Sequence, residues 1–366
     1  MSKGRVVVAM SGGVDSSVAA ALLHREGYEV VGITMRLWTE DDPQALPSAR
    51  RCCSVEDVDS ARRVCQVLGV PYYVINYERQ FQAQVVQPFV EEYRRGRTPI
   101  PCIACNQHLK FDALLQRALA LEAAFVATGH YARVRRQPDG AYALLRGHDP
   151  AKDQSYFLYG LGQEELRHAL FPVGELSKPQ VRAIARELGL PVADKPESME
   201  ICFIPDGDRR RFLAERLGAS PGAIVDGAGQ VLGEHAGIAF YTVGQRQGLG
   251  LATGRRTYVA RIEAATNTLV VGPAAELLAT GLLASQVRFV GGRPPDAAQA
   301  LTARVRHRAV EAAARVRMTG PQEAEVRFAT PQRAIAPGQA VVLCQGEQVL
   351  GGGVIEAALK EEPWSP

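Results

Sequence analysis

With 366 residues, 46% hydrophobic and 22% charged, the chain reads as globular and has material for two or three domains. A formal net charge of +3 excludes a constitutive nucleic-acid coater, so any nucleic-acid binding must come from local clusters of arginine. No run of 18 apolar residues is present, which excludes an evident membrane span, and seven cysteines argue for reduced thiols rather than a disulfide framework. The first strand begins within five residues of Met1, leaving no room for a cleaved leader, so a cytoplasmic protein is expected.

In chain order, Val6–Ala9, Val30–Thr34, Tyr73–Asn76 and Phe125–Thr128 read as buried parallel strands. Helical stretches near Asp15–Glu26, Ser54–Leu68 and Phe111–Glu122 lie between them, which predicts an α/β, doubly wound parallel sheet. Ligands of such sheets bind at the carboxyl ends of the strands. The loops Ser11–Ser17, Gly129–Tyr131 and Met199–Cys202 are therefore the candidate site loops. Ser177–Leu190 reads as an amphipathic helix, with Pro179 near its start and Gly189 near its end. Beyond Pro205 glycine and turn residues rise, and from Ala284 to Ile355 alternating runs such as "LTARVRHRAV" and "EAEVRFAT" suggest a small antiparallel β-barrel. The expected domains are 1–205, 206–280 and 281–366.

The string "VVVAMSGGVDSSVAAALL", Val6 to Leu23, is a strand feeding a glycine turn and a helix, the form of a phosphate cradle. Ser11, Ser16 and Ser17 offer hydroxyl donors. Asp15 would repel phosphates unless a cation lies between, which suggests Mg²⁺ bridging a nucleotide; the alternative is a helix cap. The kinase-type lysine motif is absent.

The whole Ser-Gly-Gly-Val-Asp-Ser-Ser string resembles the PP-loop of the ATP pyrophosphatases, which cleave ATP between the α- and β-phosphates and adenylate an oxygen. "RTPIPCIACNQHLKF" carries Cys102 and Cys105, and "KPESMEICFIPDGDRRRFL" carries Cys202, 97 residues beyond Cys105. Together with "GHYAR" at Gly129–Arg133, "KDQSYFL" at Lys152–Leu158 and "YTVGQRQGLG" at Tyr241–Gly250, these stretches resemble the bacterial tRNA-specific 2-thiouridylase family from about Arg5 to Gly353.

The resemblance implies a fold, a reaction and a set of residues. ATP would adenylate the C2 oxygen of the wobble uridine of tRNA, and sulfur would replace that oxygen to give 2-thiouridine, AMP and pyrophosphate. Ala9, Met10, Ser11, Gly12, Gly13, Val14, Asp15 and Ser16 would hold ATP with Met35 and Gly129, although Met35 is equally readable as core packing. Cys202 would accept sulfane sulfur from a persulfide or sulfide donor protein, and Cys105 would act as nucleophile or close a transient disulfide with it. Ile100, Pro101 and Cys102 would face the target base, and His130, Lys152, Asp153, Gln154, Arg306, His307 and Gln339 would touch tRNA, as would the small central domain. Without the resemblance, the Lys152–Gln154 triplet reads as a solvated loop.

Asn is usual in the family where this chain has Ile100, and Asp where it has Cys102, so a hydrogen bond to the base is lost and a thiol gained. Cys102, Cys105 and Cys202 thus also form a three-thiolate set for a [4Fe-4S] cluster with one open iron. A thioredoxin-like pair and a zinc site are further readings of Cys102-x-x-Cys105, the latter one ligand short. Cys65 and Cys344 lie in apolar runs and read as core, while Cys52 and Cys53 precede a helix that Ser54 would cap.

Residues 301–335 hold seven Arg against three Glu. Alternation puts Arg304, Arg306 and Arg308 on one strand face, where they would grip an RNA backbone or form a soluble strand face. Two rivals remain at this point: an ATP pyrophosphatase acting on a small metabolite, and a non-catalytic RNA-binding module.

Overall fold

The computed structural model describes residues 3–38, 55–196, 201–204, 206–252, 254–296 and 299–360. Cys52, Cys53, Ser54 and Met199 lie outside the described residues. Five parallel strands form the first sheet: β1 (Arg5–Ala9), β2 (Glu29–Arg36), β3 (Tyr72–Asn76), β4 (Phe125–Ala127) and, after a hairpin of β5 (Ala132–Arg136) and β6 (Tyr142–Arg146), the short β7 (Ala169–Leu170). Their order is β3-β2-β1-β4-β7, so the chain reverses direction of growth between β1 and β4. In sheets of this kind ligands bind at such a reversal, at the carboxyl ends of the two strands. Val6, Val7 and Val8 are fully buried, as a run covered by helices on both faces requires.

Helix α1 (Val14–Arg25) leaves β1 through the glycine turn, and α2 (Val55–Leu68) precedes β3. The helix expected over Phe111–Glu122 starts earlier. Pro101–Ala104 is α-helical with Pro at the first turn, Cys105–Ala113 continues as a π-helix, and Leu114–Ala120 returns to α. Leu109, Phe111, Leu114, Leu115 and Ala118 are buried along it, so the apolar face begins before the expected helix start at Phe111. π-Helical turns are rare and concentrate at functional sites. Ser177 and Gln180 form a capping box at the start of the helix Lys178–Glu187.

A four-stranded sheet follows, of β8 (Gly222–Val225), β9 (Val231–His235), β10 (Tyr258–Glu263) and β11 (Thr268–Gly272). The C-terminal strands are β12 (Leu278–Phe289), β13 (Leu301–Arg304), β14 (Ala312–Gly320), β15 (Glu323–Arg333), β16 (Ala340–Gln345) and β17 (Gln348–Leu359). They pair antiparallel, and β12 bonds both β15 and β17, which closes a six-stranded barrel. The β5–β6 hairpin joins this same sheet through Gln348↔Leu145 and Val349↔Leu144. The barrel is thereby stitched to the N-terminal sheet's own loops. None of the described helices is long and apolar enough to cross a membrane.

The alternation expected for Arg304, Arg306 and Arg308 ends early, because β13 stops at Arg304 and residues 305–309 bend away. Arg304 is instead turned into the protein, paired with Asp153 and Glu311, each at 3.2 Å.

Candidate active site

The glycine turn is held open by its own hydroxyls. Ser16 and Ser17, both buried, donate to the Gly13 carbonyl at 3.2 and 2.8 Å, and Ser16 Oγ also accepts from the Ser11 backbone N–H at 3.2 Å. Their expected role as phosphate donors is thus partly taken up by shaping the loop. Gly13 caps α1 without a side chain, leaving the first-turn N–H groups directed out of the helix end. Ser11 is exposed on the rim. Gly12 has φ +73°, and a Cβ there would lie 2.2 Å from the Asp57 carbonyl oxygen of α2. A Cβ on Gly129 would lie 2.5 Å from the Ser16 nitrogen, so glycine lets the loop after β4 close onto the helix start.

Asp15 is not a helix cap. Its carboxylate accepts from the Tyr131 hydroxyl at 2.8 Å and is gripped by the Lys178 ammonium at 2.7 and 2.8 Å. Tyr131 and Lys178 are both buried. A second lysine serves the turn from the other side: Lys195 Nζ donates to the Gly12 carbonyl at 2.9 Å and to Asp57 Oδ1 at 2.7 Å. Neither lysine carries a local sequence signal. Lys178 opens the observed helix Lys178–Glu187, Lys195 follows the turn after it, and each finds its partner more than 130 residues away.

Cys105 and Cys202 both belong to one extended apolar cluster that reaches into the central unit. Cys105 is buried at the start of the π-helix, and Cys202 packs half-buried against the same cluster. That cluster contains Met35 and Leu37 at the end of β2, with Ala9 at the end of β1 packed on it. Phe203 anchors the Cys202 side, its ring 5.6, 5.2 and 5.4 Å from those of Phe81, Phe89 and Phe212. Cys102 is exposed, one helical turn before Cys105. Among the described residues no group of three His, Cys, Asp or Glu side chains is arranged to hold a metal ion, Cys102, Cys105 and Cys202 included. Cys65 and Cys344 are buried, and desolvation pushes the Cys65 thiol up to about 11.

The residues expected at tRNA are largely tied into the protein. His130 is buried against Phe111 and Phe171, its Nδ1 2.6 Å from Thr128 Oγ1. Burial, with a smaller contribution from Lys110, holds its pKa well below the usual imidazole range. Asp153 accepts from the backbone N–H groups of Gly147 and Ser155 at 3.0 and 3.1 Å. Gln154 accepts from the Tyr131 N–H at 3.1 Å, bracing the loop that supplies the Asp15 partner. Lys152 stays half-exposed. His307 sits 2.9 Å from the Asp153 carbonyl and packs on Phe157, ring centres 4.4 Å apart. Arg306 donates to the Arg333 carbonyl at 3.3 Å, and Gln339 to the Thr98 carbonyl at 2.7 Å. Ile100 precedes the first turn of the Cys105 helix and Pro101 opens it.

Known proteins supply the remaining comparison. Residues 4–206 match the tRNA methyl transferase HUP domain, 210–273 the tRNA methyl transferase PRC-barrel domain and 279–355 the aminomethyltransferase β-barrel domain. A tRNA-specific 2-thiouridylase MnmA of Geobacter metallireducens is 49% identical over 364 residues, covering 98% of this chain and 99% of the relative. The chain belongs to the tRNA-specific 2-thiouridylase family. A second member, the MnmA of Carboxydothermus hydrogenoformans, is 51% identical over 366 residues with the same coverage. Among solved structures, a 4-thiouridine synthetase in complex with RNA and ATP aligns with 56% of this chain and 46% of its own at 19% identity. Its TM-score is 0.33.

Proposed function

We propose that the protein is a tRNA uridine 2-sulfurtransferase, which adenylates the C2 oxygen of the wobble uridine with ATP and replaces that oxygen with sulfur. The observation that supports this reading is that Cys105 and Cys202 both pack in the apolar cluster that takes in Met35 and Leu37 at the end of β2, with Ala9 at the end of β1 packed against it. A small-metabolite ligase would leave both thiols and the barrel without a task, and a binding module would need neither.

ATP phosphates lie on the turn Ala9–Ser16, with Met35 and Gly129 completing the nucleotide pocket. The uridine O2 attacks the α-phosphorus and pyrophosphate leaves, its charge met by the first-turn N–H groups of α1. Mg²⁺ would accompany ATP as the counter-ion of its phosphates. The positive charge fixed at Asp15 in this chain is Lys178, so Asp15 serves to hold that ammonium at the phosphate site.

Sulfur travels by thiol relay. A donor protein leaves a persulfide on Cys202, and its terminal sulfur attacks C2 of the adenylated base. The Cys105 thiolate then attacks Cys202 Sγ, forming the Cys105–Cys202 disulfide and breaking the S–S bond to the transferred sulfur. That electron pair forms C2=S as AMP departs, and a dithiol reductant restores both thiols. A [4Fe-4S] cluster does not fit the residues: Cys102 is exposed, Cys105 buried and Cys202 half-buried, and the three form no metal-holding group.

Residues 1–205 carry catalysis, and the units 206–280 and 281–366 carry much of the tRNA. Arg246, Arg255 and Arg256 are exposed around a glycine-rich cavity of ≈ 620 Å³ in the central unit, a surface suited to an RNA backbone. Lys152 adds to it at the catalytic unit. The cytoplasm, with tRNA and reduced thiols, is the matching compartment. The test is to incubate protein, ATP, Mg²⁺, a persulfide donor and unmodified tRNA, then digest the RNA. 2-Thiouridine with equimolar AMP is expected; tight tRNA binding without either product leaves the binding module.

A further inference from the structure

Lys195 joins three segments that the sequence keeps far apart. Its ammonium donates to the Gly12 carbonyl at 2.9 Å, to Asp57 Oδ1 at 2.7 Å and to Ser60 Oγ at 3.1 Å. The glycine turn already presses on α2, with the Asp57 carbonyl where a Gly12 side chain would begin. The lysine closes that contact from outside. Its own backbone is fixed as well, because Arg182 donates to the carbonyls of Ala193 and Lys195 at 2.7 and 3.1 Å.

Seven residues after Lys195 comes Cys202, and the next residue, Phe203, is locked among Phe81, Phe89 and Phe212. In sequence the thiol therefore lies between two anchors: it follows by seven residues an ammonium on the carbonyl of the turn that takes the phosphates, and directly precedes the aromatic anchor Phe203. An anion entering the turn competes with Asp57 and Gly12 for that ammonium. Attraction between an ammonium and a phosphate strengthens where water is partly excluded.

From this geometry we propose that Lys195 is a positioning residue that couples nucleotide binding at the turn to the placement of the Cys202 thiol. The coupling rests on reading the turn as the nucleotide site. It makes the sulfur-bearing residue respond to ATP before tRNA chemistry begins. Asp57 is the other half of the device, the acceptor that holds Lys195 when the turn is empty.

The test is alkylation of Cys202 by iodoacetamide in the full-length protein without tRNA, followed on the Cys202 peptide by mass spectrometry. Rates are compared with and without saturating α,β-methylene-ATP and Mg²⁺, binding being measured separately. In the wild type the nucleotide is expected to change the Cys202 rate by about fivefold or more. Lys195→Met is expected to bind nucleotide but lose the response, Lys195→Arg to restore part of it, and Asp57→Asn to shift the nucleotide-free rate toward the bound one. Should Lys195→Met fail to fold, Lys195→Arg and Asp57→Asn decide alone. Wild-type binding with an indifferent Cys202 overturns the coupling and leaves the proposed function standing, as does an undiminished response in Lys195→Met. Loss of nucleotide binding in both Lys195→Met and Asp57→Asn also overturns it, making Lys195 part of the phosphate site alone. Absence of nucleotide binding in the wild type instead overturns the proposed function.

Discussion

The ammonium of Lys178 stands 2.7 and 2.8 Å from the two carboxylate oxygens of Asp15, at the mouth of the glycine turn. From sequence alone that place falls to Mg²⁺. A carboxylate in the first turn of a helix that opens toward phosphates needs a positive partner, and the fold supplies one from a helix that begins 163 residues later. Lys178→Met and Asp15→Asn are both expected to slow AMP formation by about 10²–10³-fold, the usual effect of removing a preorganised charge. Persulfide loading of Cys202 should continue in both. Labelled ATP and mass spectrometry of the Cys202 peptide read the two steps separately, and AMP release at the wild-type rate in either variant contradicts the assignment.

The three site cysteines should divide two against one. Cys105→Ser and Cys202→Ser are expected to lose about 10³-fold or more of 2-thiouridine formation while still binding tRNA. Cys102→Ser should stay within about fivefold of wild type, because an exposed thiol outside the reacting pair is not the nucleophile. Anaerobically purified protein is expected to be active without stoichiometric iron or acid-labile sulfide. Equal loss in all three serine variants, with iron in the wild type, restores the cluster.

His130 gives a pH signature. Its folded pKa is depressed, so the unfolded chain takes up a proton that the native protein refuses. The stabilisation is complete above about pH 6.5 and declines as pH falls from there toward the folded value. The His130 contribution to the slope approaches about 1.4 kcal/mol per pH unit. Urea melts of the wild type and His130→Asn between pH 5 and 8 should converge in slope above 6.5 and diverge below it. Parallel curves throughout contradict a buried neutral imidazole.

The arginine loop of the central unit should govern salt dependence. Replacing Arg246, Arg255 and Arg256 with alanine is expected to weaken tRNA binding and flatten log K against log salt by about 0.9 for each phosphate that is no longer neutralised. ATP affinity should not move. A variant with the wild-type salt slope removes this surface from the tRNA path.

Local signals in the sequence carried the core of the parallel sheet, the phosphate turn and the C-terminal barrel, because strand periodicity and a glycine turn before a helix are written within a dozen residues. Long-range pairing was not legible. Asp57 and Lys195 meet across 138 residues, and the β5–β6 hairpin joins the barrel sheet through residues near 348. The alternation of Arg304, Arg306 and Arg308 misled because a turn at 305 ends the strand, and Asp153 with Glu311 offered Arg304 a better partner than solvent. Cys105 and Cys202 were marked by the family resemblance of the stretches that carry them, but the cluster they share includes Phe203 docked among Phe81, Phe89 and Phe212, an arrangement no local pattern announces.

One measurement tests the thiol relay most directly. Protein carrying one persulfide on Cys202 is given ATP and unmodified tRNA for a single turnover without reductant, then acid-quenched, alkylated and digested. The account predicts a Cys105–Cys202 disulfide-linked peptide in amount equal to the 2-thiouridine formed. Stoichiometric 2-thiouridine with both cysteines recovered as alkylated thiols contradicts it.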